Sequence, residues 1–323
     1  MKKVLVTGVA GFIAHKVCEF LLESGVEVVG IDNMNDYYDT KLKEFRLNDL
    51  EQRKGFTFFR GDIEDKSFLK DVFQKHQFKS IYNLAARAGV RYSIENPDIY
   101  VSTNIQGHLN VLNMAKEFNV KKVIIASTSS LYAGKEMPFL ESLNVNDPIS
   151  PYAATKSAAE VMSYTYHHLY GIDVSIVRYF TVYGPLSRPD MAQLRFMKWI
   201  DNGQEIQLYG DGEQARDFTY VDDIARGTIL AEKELGFEII NLGGGGEPIS
   251  INYMIKEYEK HLGKKAVIKN LPFNKADMLV TMANIEKAKK LLSWQPETSF
   301  KDGLLKCFEH YQIHQDFYKS IKL

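Results

Sequence analysis

Short apolar runs alternate with amphipathic stretches through the first 180 or so residues. Val4–Val6, Glu27–Ile31, Thr57–Phe59, Ser80–Leu84, Lys122–Ala126 and Asp173–Arg178 read as strands. Between them, Ala14–Ser24, Asp65–Lys75 and Asn104–Phe118 carry apolar residues at helical spacing. Strands separated by such helices predict βαβ units and a parallel sheet. Right-handed crossovers then place helices on both faces, a doubly wound α/β fold. After Tyr183 the pattern loosens. A stretch rich in Gly, Asp and Gln leads to Ile239–Leu242 and the glycine run Gly243–Gly246, and from Ile249 the chain reads as helical with short extended pieces. This predicts a large first domain over residues 1–183, with a returning segment near 215–245. A smaller, discontinuous α/β domain takes mainly residues 184–323.

Composition narrows the class. The 323 residues are 45% hydrophobic and 25% charged, with a formal net charge of −1. Those values fit a globular protein and give no basic footprint for nucleic acid. Cys18 and Cys307 lack C-x-x-C spacing, so neither a disulfide framework nor a zinc site is expected, only buried or inert thiols. Lys2 and Lys3 resemble the start of a signal peptide, but the following apolar run stops at Gly8. No stretch approaches the roughly 18 apolar residues of a membrane span. A cytoplasmic protein without a membrane partner is expected.

The segment Gly8-Val9-Ala10-Gly11-Phe12-Ile13-Ala14 follows the first strand and opens the first helix. Glycines here let the backbone turn sharply and approach a pyrophosphate seated on the helix N-terminus. Ala14 stands where many such loops have glycine, a packing position that tolerates a methyl. Asp32 ends the second strand. A carboxylate there accepts both ribose hydroxyls of an adenosine and repels a 2′-phosphate, favouring NAD over NADP. Asp62 and Ile63, at the end of the third strand, are placed to flank the adenine. The large domain thus reads as Rossmann-type.

Tyr152 and Lys156 stand four residues apart in Tyr152-Ala153-Ala154-Thr155-Lys156. On a helix they share a face. A phenol is a poor base, with an ordinary pKa near 10, but a neighbouring ammonium favours the phenolate. Such a pair can take a proton from a substrate alcohol.

Together these segments resemble the extended short-chain dehydrogenase/reductases, the NAD-dependent epimerases and dehydratases. The resemblance spans nearly the whole chain. It rests on Thr7-Gly8-Val9-Ala10-Gly11-Phe12-Ile13, Asp32-Asn33, Gly61-Asp62, Leu84-Ala85-Ala86, the run Ser127–Tyr132, Tyr152 with Lys156, and Arg216–Asp223. Within that group the chain is most similar to the UDP-glucuronate 4-epimerases. Asp32–Asp39, Ala88–Ser93, Tyr152–Lys156 and Phe180–Pro185 running into Arg188–Met191 carry this closer likeness. Arg87 departs from the Gln expected at its position, which leaves its contact open.

The resemblance implies a tightly bound NAD that is recycled within one turnover. Its implied contacts are Gly8, Gly11, Phe12, Ile13, Asp32, Asn33, Asp62, Ile63, Leu84, Ala85, Ala86, Tyr152, Lys156 and Tyr179. Tyr152 is implied as the base, Lys156 as its support, and Thr128 as the partner of the sugar 4-hydroxyl. Related 4,6-dehydratases carry Asp-Glu after that threonine and related decarboxylases carry a Glu in the loop. Ser129 and Ser130 here favour epimerisation without elimination. A 4-keto glucuronate is a β-keto acid prone to lose CO₂, so its carboxylate needs holders, for which Ser129, Ser130 and Thr181 are the candidates, with Arg188 adding charge. Arg91, Gln207, Arg216 and Asp277 complete the implied contacts to the UDP-sugar, Arg216 at the diphosphate. Tyr209 is a candidate for the uracil pocket beside Gln207, but an aromatic at this spacing is more often core, and it is left unassigned.

The expected activity is therefore reversible 4-epimerisation of UDP-glucuronate to UDP-galacturonate. A 4-epimerase of neutral UDP-sugars and a catalytically silent NAD(H)-binding regulator are the alternatives. The resemblance also implies a homodimer through a four-helix bundle made by Asn104–Phe118 and Tyr152–Leu169.

Overall fold

The computed structural model describes residues 2–273 and 278–323. Strands β1 (Lys3–Thr7), β2 (Glu27–Asp32), β3 (Phe56–Arg60), β4 (Ser80–Asn83), β5 (Lys122–Thr128) and β6 (Asp173–Tyr179) form within two residues of the predicted runs. A seventh strand, Phe237–Leu242, returns from the second half of the chain and pairs with β6. The spatial order is Phe237–Leu242, β6, β5, β4, β1, β2, β3, and every pairing is parallel. Strand order reverses between β1 and β4. In sheets of this kind the crevice opens there, beyond the carboxyl ends of the strands.

Successive side chains of each strand point to opposite faces, and both faces are covered. Leu5, Ile81, Val123, Ile125 and Ile176 pack against Leu69, Val72, Val111 and Met114. Val4, Val6, Ile124, Val177 and Ile240 pack with Val17, Cys18, Leu21 and Ile224 on the other side. This explains why the strands read as continuous apolar runs rather than alternating ones. Cys18 and Cys307 are buried and unpaired, and burial raises both thiol pKa values.

Three helices matter for the cleft. Phe12–Glu23 follows β1 directly, as predicted. Pro151–Tyr170 starts with Pro at its first turn and is capped by Ser150, whose hydroxyl accepts the Ala153 N–H. It ends at Gly171, which takes the left-handed conformation at φ 64°. The third differs from expectation. In place of one regular helix over Asn104–Phe118, a wide π-helical turn, Val101–Gly107, runs into the α-helix His108–Glu117. Such widened turns re-aim side chains at functional sites. A Cβ on Gly107 would lie 2.7 Å from Ile63, so this glycine lets the turn press against the end of β3.

Beyond β6 the chain forms small strand pairs rather than a second large sheet. Thr181–Tyr183 pairs with Phe218–Tyr220, Glu205–Tyr209 with Val267–Leu271, and Ala215–Arg216 with Ile249–Ser250. Among the described residues, no helix is long and apolar enough to cross a membrane.

Candidate active site

A single continuous cleft of about 1510 Å³ lies over the carboxyl ends of β1, β2, β4 and β5. Pockets for one small ligand usually measure about 300–1,000 Å³, so this cleft has room for two molecules end to end. Gly8 turns at φ +75°, and a Cβ there would sit 2.9 Å from Ala85 Cα. A side chain at this point would separate the β1 and β4 loops. Gly11 donates to the Gly8 carbonyl at 2.8 Å and opens the helix Phe12–Glu23 without any side-chain cap. The uncapped first turn gives N–H groups to an anion. Ala14 is buried, so its methyl serves packing.

Asp32 is buried at the end of β2. Its Oδ2 accepts the Ala10 N–H at 3.1 Å and its Oδ1 the Met34 N–H at 2.8 Å. These bonds fix the carboxylate toward the cleft and leave lone pairs for a ribose. Asn33 donates to Asp62 Oδ2 at 2.6 Å, tying the ends of β2 and β3 together. Ile63, Leu84, Ala85 and Ala86 complete this wall, with Phe12 and Ile13 opposite the loop. Tyr179 also lines the cleft, but its hydroxyl bonds Thr228 at 2.9 Å, so the ring rather than the hydroxyl faces a ligand.

The side chains expected to carry the chemistry meet where β5 ends. Thr128 is the last residue of that strand, not a residue after it. Its hydroxyl donates to Ser130 Oγ at 3.1 Å and accepts the Ser130 N–H at the same distance. Ser129 and Ser130 begin a single tight turn, Ser129–Tyr132, at the cleft floor. Tyr152 and Lys156 reach the same floor from the first turns of the helix Pro151–Tyr170. Burial raises the Tyr152 pKa, while a hydrogen bond to Thr128 and the Arg188 guanidinium pull it down. Lys156 is itself buried and drops to about 8. The downward pull on the phenol comes from Thr128 and Arg188.

Arg188 is half-buried. It pairs with Asp190 at 3.0 and 2.5 Å and lies 5.6 Å over the Tyr37 ring. Thr181 and Arg188 line the same cleft as Ser129 and Ser130. Gln207 and Arg216 line the far end of the cleft. Arg216 Nη1 donates to the carbonyls of Ala215 and Leu279. Asp217, beside it, is occupied with the Gly245 and Ala283 N–H groups, and burial raises its pKa to about 6. Asp277 lies outside the described residues.

The structure adds residues that sequence reasoning missed. Tyr209, left unassigned above, lines the cleft, with the Arg91 guanidinium 4.2 Å over its ring. Arg87, left open above, donates to Asn35 Oδ1 at 3.1 Å and so joins the loops after β4 and β2. Asn104, in the π-helical turn, fixes the Arg87 backbone by two bonds and also donates to Thr155 Oγ1. Lys43 reaches the cleft 4.0 Å from Asp32 Oδ1.

A family model described as GDP-mannose 4,6 dehydratase matches residues 5–307. The UDP-glucuronate 4-epimerase of Thermodesulfobacterium geofontis is 56% identical over 99% of both chains. The solved UDP-glucuronic acid 4-epimerase of Bacillus cereus, in complex with UDP-glucuronic acid and NAD, superposes with a TM-score of 0.89 at 38% identity, covering 96% of this chain and 99% of that one. The UDP-glucose 4-epimerase of Thermotoga maritima, solved with UDP-glucose, gives 0.87 at 30% identity, with 97% and 99% coverage. The match to the family model and the close relatives bear out the resemblance drawn from the motifs, and the chain belongs to the GDP-mannose 4,6 dehydratase family of NAD-dependent epimerases and dehydratases.

Proposed function

We propose that this protein is an NAD-dependent 4-epimerase that interconverts UDP-glucuronate and UDP-galacturonate. The observation that carries this reading is the cluster Thr128, Ser129, Ser130 and Tyr152 on one cleft floor. It holds a base and hydroxyls, and the two residues after Thr128 are serines rather than the carboxylates that drive elimination. The T. geofontis and B. cereus relatives support the sugar acid as substrate.

The cleft fits a dinucleotide. A Cβ would fill the cradle at Gly8, and the Asp32 carboxylate is fixed at the strand end by two backbone N–H groups, where it repels a 2′-phosphate. When bound, NAD supplies reversible two-electron oxidation at C4 of the sugar. The chain does the rest. Tyr152 Oη takes the proton from the 4-hydroxyl and later returns it. Thr128 Oγ1 holds the same oxygen and favours the phenolate. Lys156 supports that charge and binds the nicotinamide ribose. Ser129, Ser130 and Thr181 hold the substrate carboxylate out of alignment with the C4 carbonyl and so suppress loss of CO₂. Arg188 supplies positive charge behind them. Arg216 grips the diphosphate while the sugar turns over, with Arg91 and Gln207 toward the nucleotide.

Residues 184–323, less the segment that returns to the sheet, form the nucleotide-sugar domain in this reading. The enzyme works as a homodimer in the cytoplasm. The helix Pro151–Tyr170 exposes Val161, Tyr164 and Leu169 to 64%, 53% and 60%, beside exposed Val101. An apolar face of this kind is what a second copy would cover. Two unpaired thiols fit a reducing compartment.

Assay of the purified protein against UDP-glucuronate and UDP-glucose tests the reading. Formation of UDP-galacturonate at a kcat/KM well above that for the neutral sugar is expected. Preference for UDP-glucose would replace it with the neutral-sugar reading.

A further inference from the structure

Tyr152, Lys156 and Glu160 are spaced four residues apart along one helix, so all three share a face. Lys156 and Glu160 are both buried. Arg178 of β6, also buried, grips Glu160 through two bonds, Nε to Oε1 at 2.9 Å and Nη2 to Oε2 at 2.6 Å. Ser127 Oγ donates to the same Oε1 at 2.5 Å, one residue before Thr128. Arg178 Nη1 donates to Tyr132 Oη at 2.7 Å, at the end of the turn that carries Ser129 and Ser130. Glu160 thus sits where the helix of Tyr152 meets the strand of Thr128.

Packing does not require this arrangement. Replacing a buried ion pair by apolar residues of similar volume is often neutral or stabilising. What a carboxylate adds is a field on its neighbour Lys156. We infer that Glu160 is a positioning residue for the proposed epimerisation: anchored by Arg178, its carboxylate keeps the Lys156 ammonium charged in a dry site and so sets the pH range over which Tyr152 acts as a base. The inference rests on the roles proposed above for Tyr152 and Lys156.

The surroundings agree. Burial takes Lys156 to about 8, and Glu160 is the group that opposes the fall. His108 faces Lys156 from the helix His108–Glu117. Burial and the lysine lower its pKa to about 3, so it is neutral at working pH. Tyr132 from the 129–132 turn and Tyr100 from the helix Pro97–Tyr100 are neutral phenols with raised pKa values. Arg178 from β6 is a cation, and Arg188 acts on Tyr152 from across the cleft. Asn104, Ser127 and Thr128 are uncharged. Among these groups, Glu160 carries the negative charge.

The test compares the wild type with Glu160→Gln, Arg178→Met and the double variant. Two quantities are read: the alkaline limb of kcat against pH, and the titration of Lys156 by its ¹³Cε shift. An opposite charge at this range moves a pKa by about 1–3. Glu160→Gln should lower the Lys156 titration and the alkaline limb by about 1 pH unit or more. Arg178→Met keeps the carboxylate and removes a cation, so neither should fall. Both single variants lose thermal stability, which therefore decides nothing. The double variant removes both members of the ion pair together and should fold, with Lys156 still titrating below the wild type. Were the titration of Lys156 the same in the double variant as in the wild type, or were both single variants to lower it equally, Glu160 would be a structural ion-pair partner and no more. Absence of wild-type turnover on either UDP-sugar would overturn the proposed function alone, because the ¹³Cε titration needs no turnover.

Discussion

The Arg91 guanidinium carbon lies 4.2 Å from the centre of the Tyr209 ring, joining the two halves of the chain across the cleft. Arg91 belongs to the short helix Val90–Glu95 after β4, and Tyr209 ends the strand Glu205–Tyr209. A guanidinium stacked on an aromatic ring at a partly exposed site contributes about 0.5–1 kcal/mol. Arg91→Ala and Tyr209→Ala should each raise KM for the UDP-sugar more than they lower kcat. A double-mutant cycle on kcat/KM should return a coupling energy of that size. Additive effects would show that the stack does not shape the substrate site.

The hydroxyls of Ser129 and Ser130 are assigned to the substrate carboxylate. A hydrogen bond to a charged group is worth about 1.5–3 kcal/mol. Ser129→Ala with Ser130→Ala should cut kcat/KM for UDP-glucuronate by at least about tenfold. Part of the remaining turnover should release CO₂ and a UDP-pentose, measurable by mass spectrometry. Slower epimerisation with no decarboxylated product would move the protective role to Thr181 and Arg188.

His108 links fold stability to pH. It is buried, accepts from Asn83 Nδ2 at Nδ1 and reaches Ser163 through Nε2, both at 2.9 Å. Its folded pKa of about 3 lies below the ordinary value of 6.5. The unfolded chain therefore binds the extra proton first as pH falls. Stability from this group is full above pH 6.5 and is lost on acidification toward pH 3. By pH 5 the loss is about 2 kcal/mol. His108→Gln should flatten the dependence of melting temperature on pH between 6.5 and 5. An unchanged slope would assign the acid sensitivity elsewhere.

How much of this was legible in the sequence depended on distance along the chain. The Gly8 loop, Asp32 and the Tyr152–Lys156 spacing are local patterns, and the strands and turns around them dictate their placement. Tyr209, left unassigned between pocket and core, had a local signal that favours the pocket. In Glu205–Tyr209, Ile206 and Leu208 are buried, so alternation puts Gln207 and Tyr209 on the same open face. The bridge from Arg87 to Asn35 and the ion pair of Glu160 with Arg178 join residues from different elements, and only the folded sheet brings them together. The π-helical turn at Val101–Gly107 was hidden because its apolar spacing passes for an ordinary helix.

The central claim is that Tyr152, bonded to Thr128 on the cleft floor, takes and returns the 4-hydroxyl proton of UDP-glucuronate. Tyr152→Phe removes the one oxygen that does this. The deciding measurement is its kcat for UDP-galacturonate formation, on protein shown to keep its melting temperature and its bound dinucleotide. A positioned general base contributes about 10²–10⁴-fold, and a loss of that size is predicted. Epimerisation by Tyr152→Phe at the wild-type rate would contradict the account.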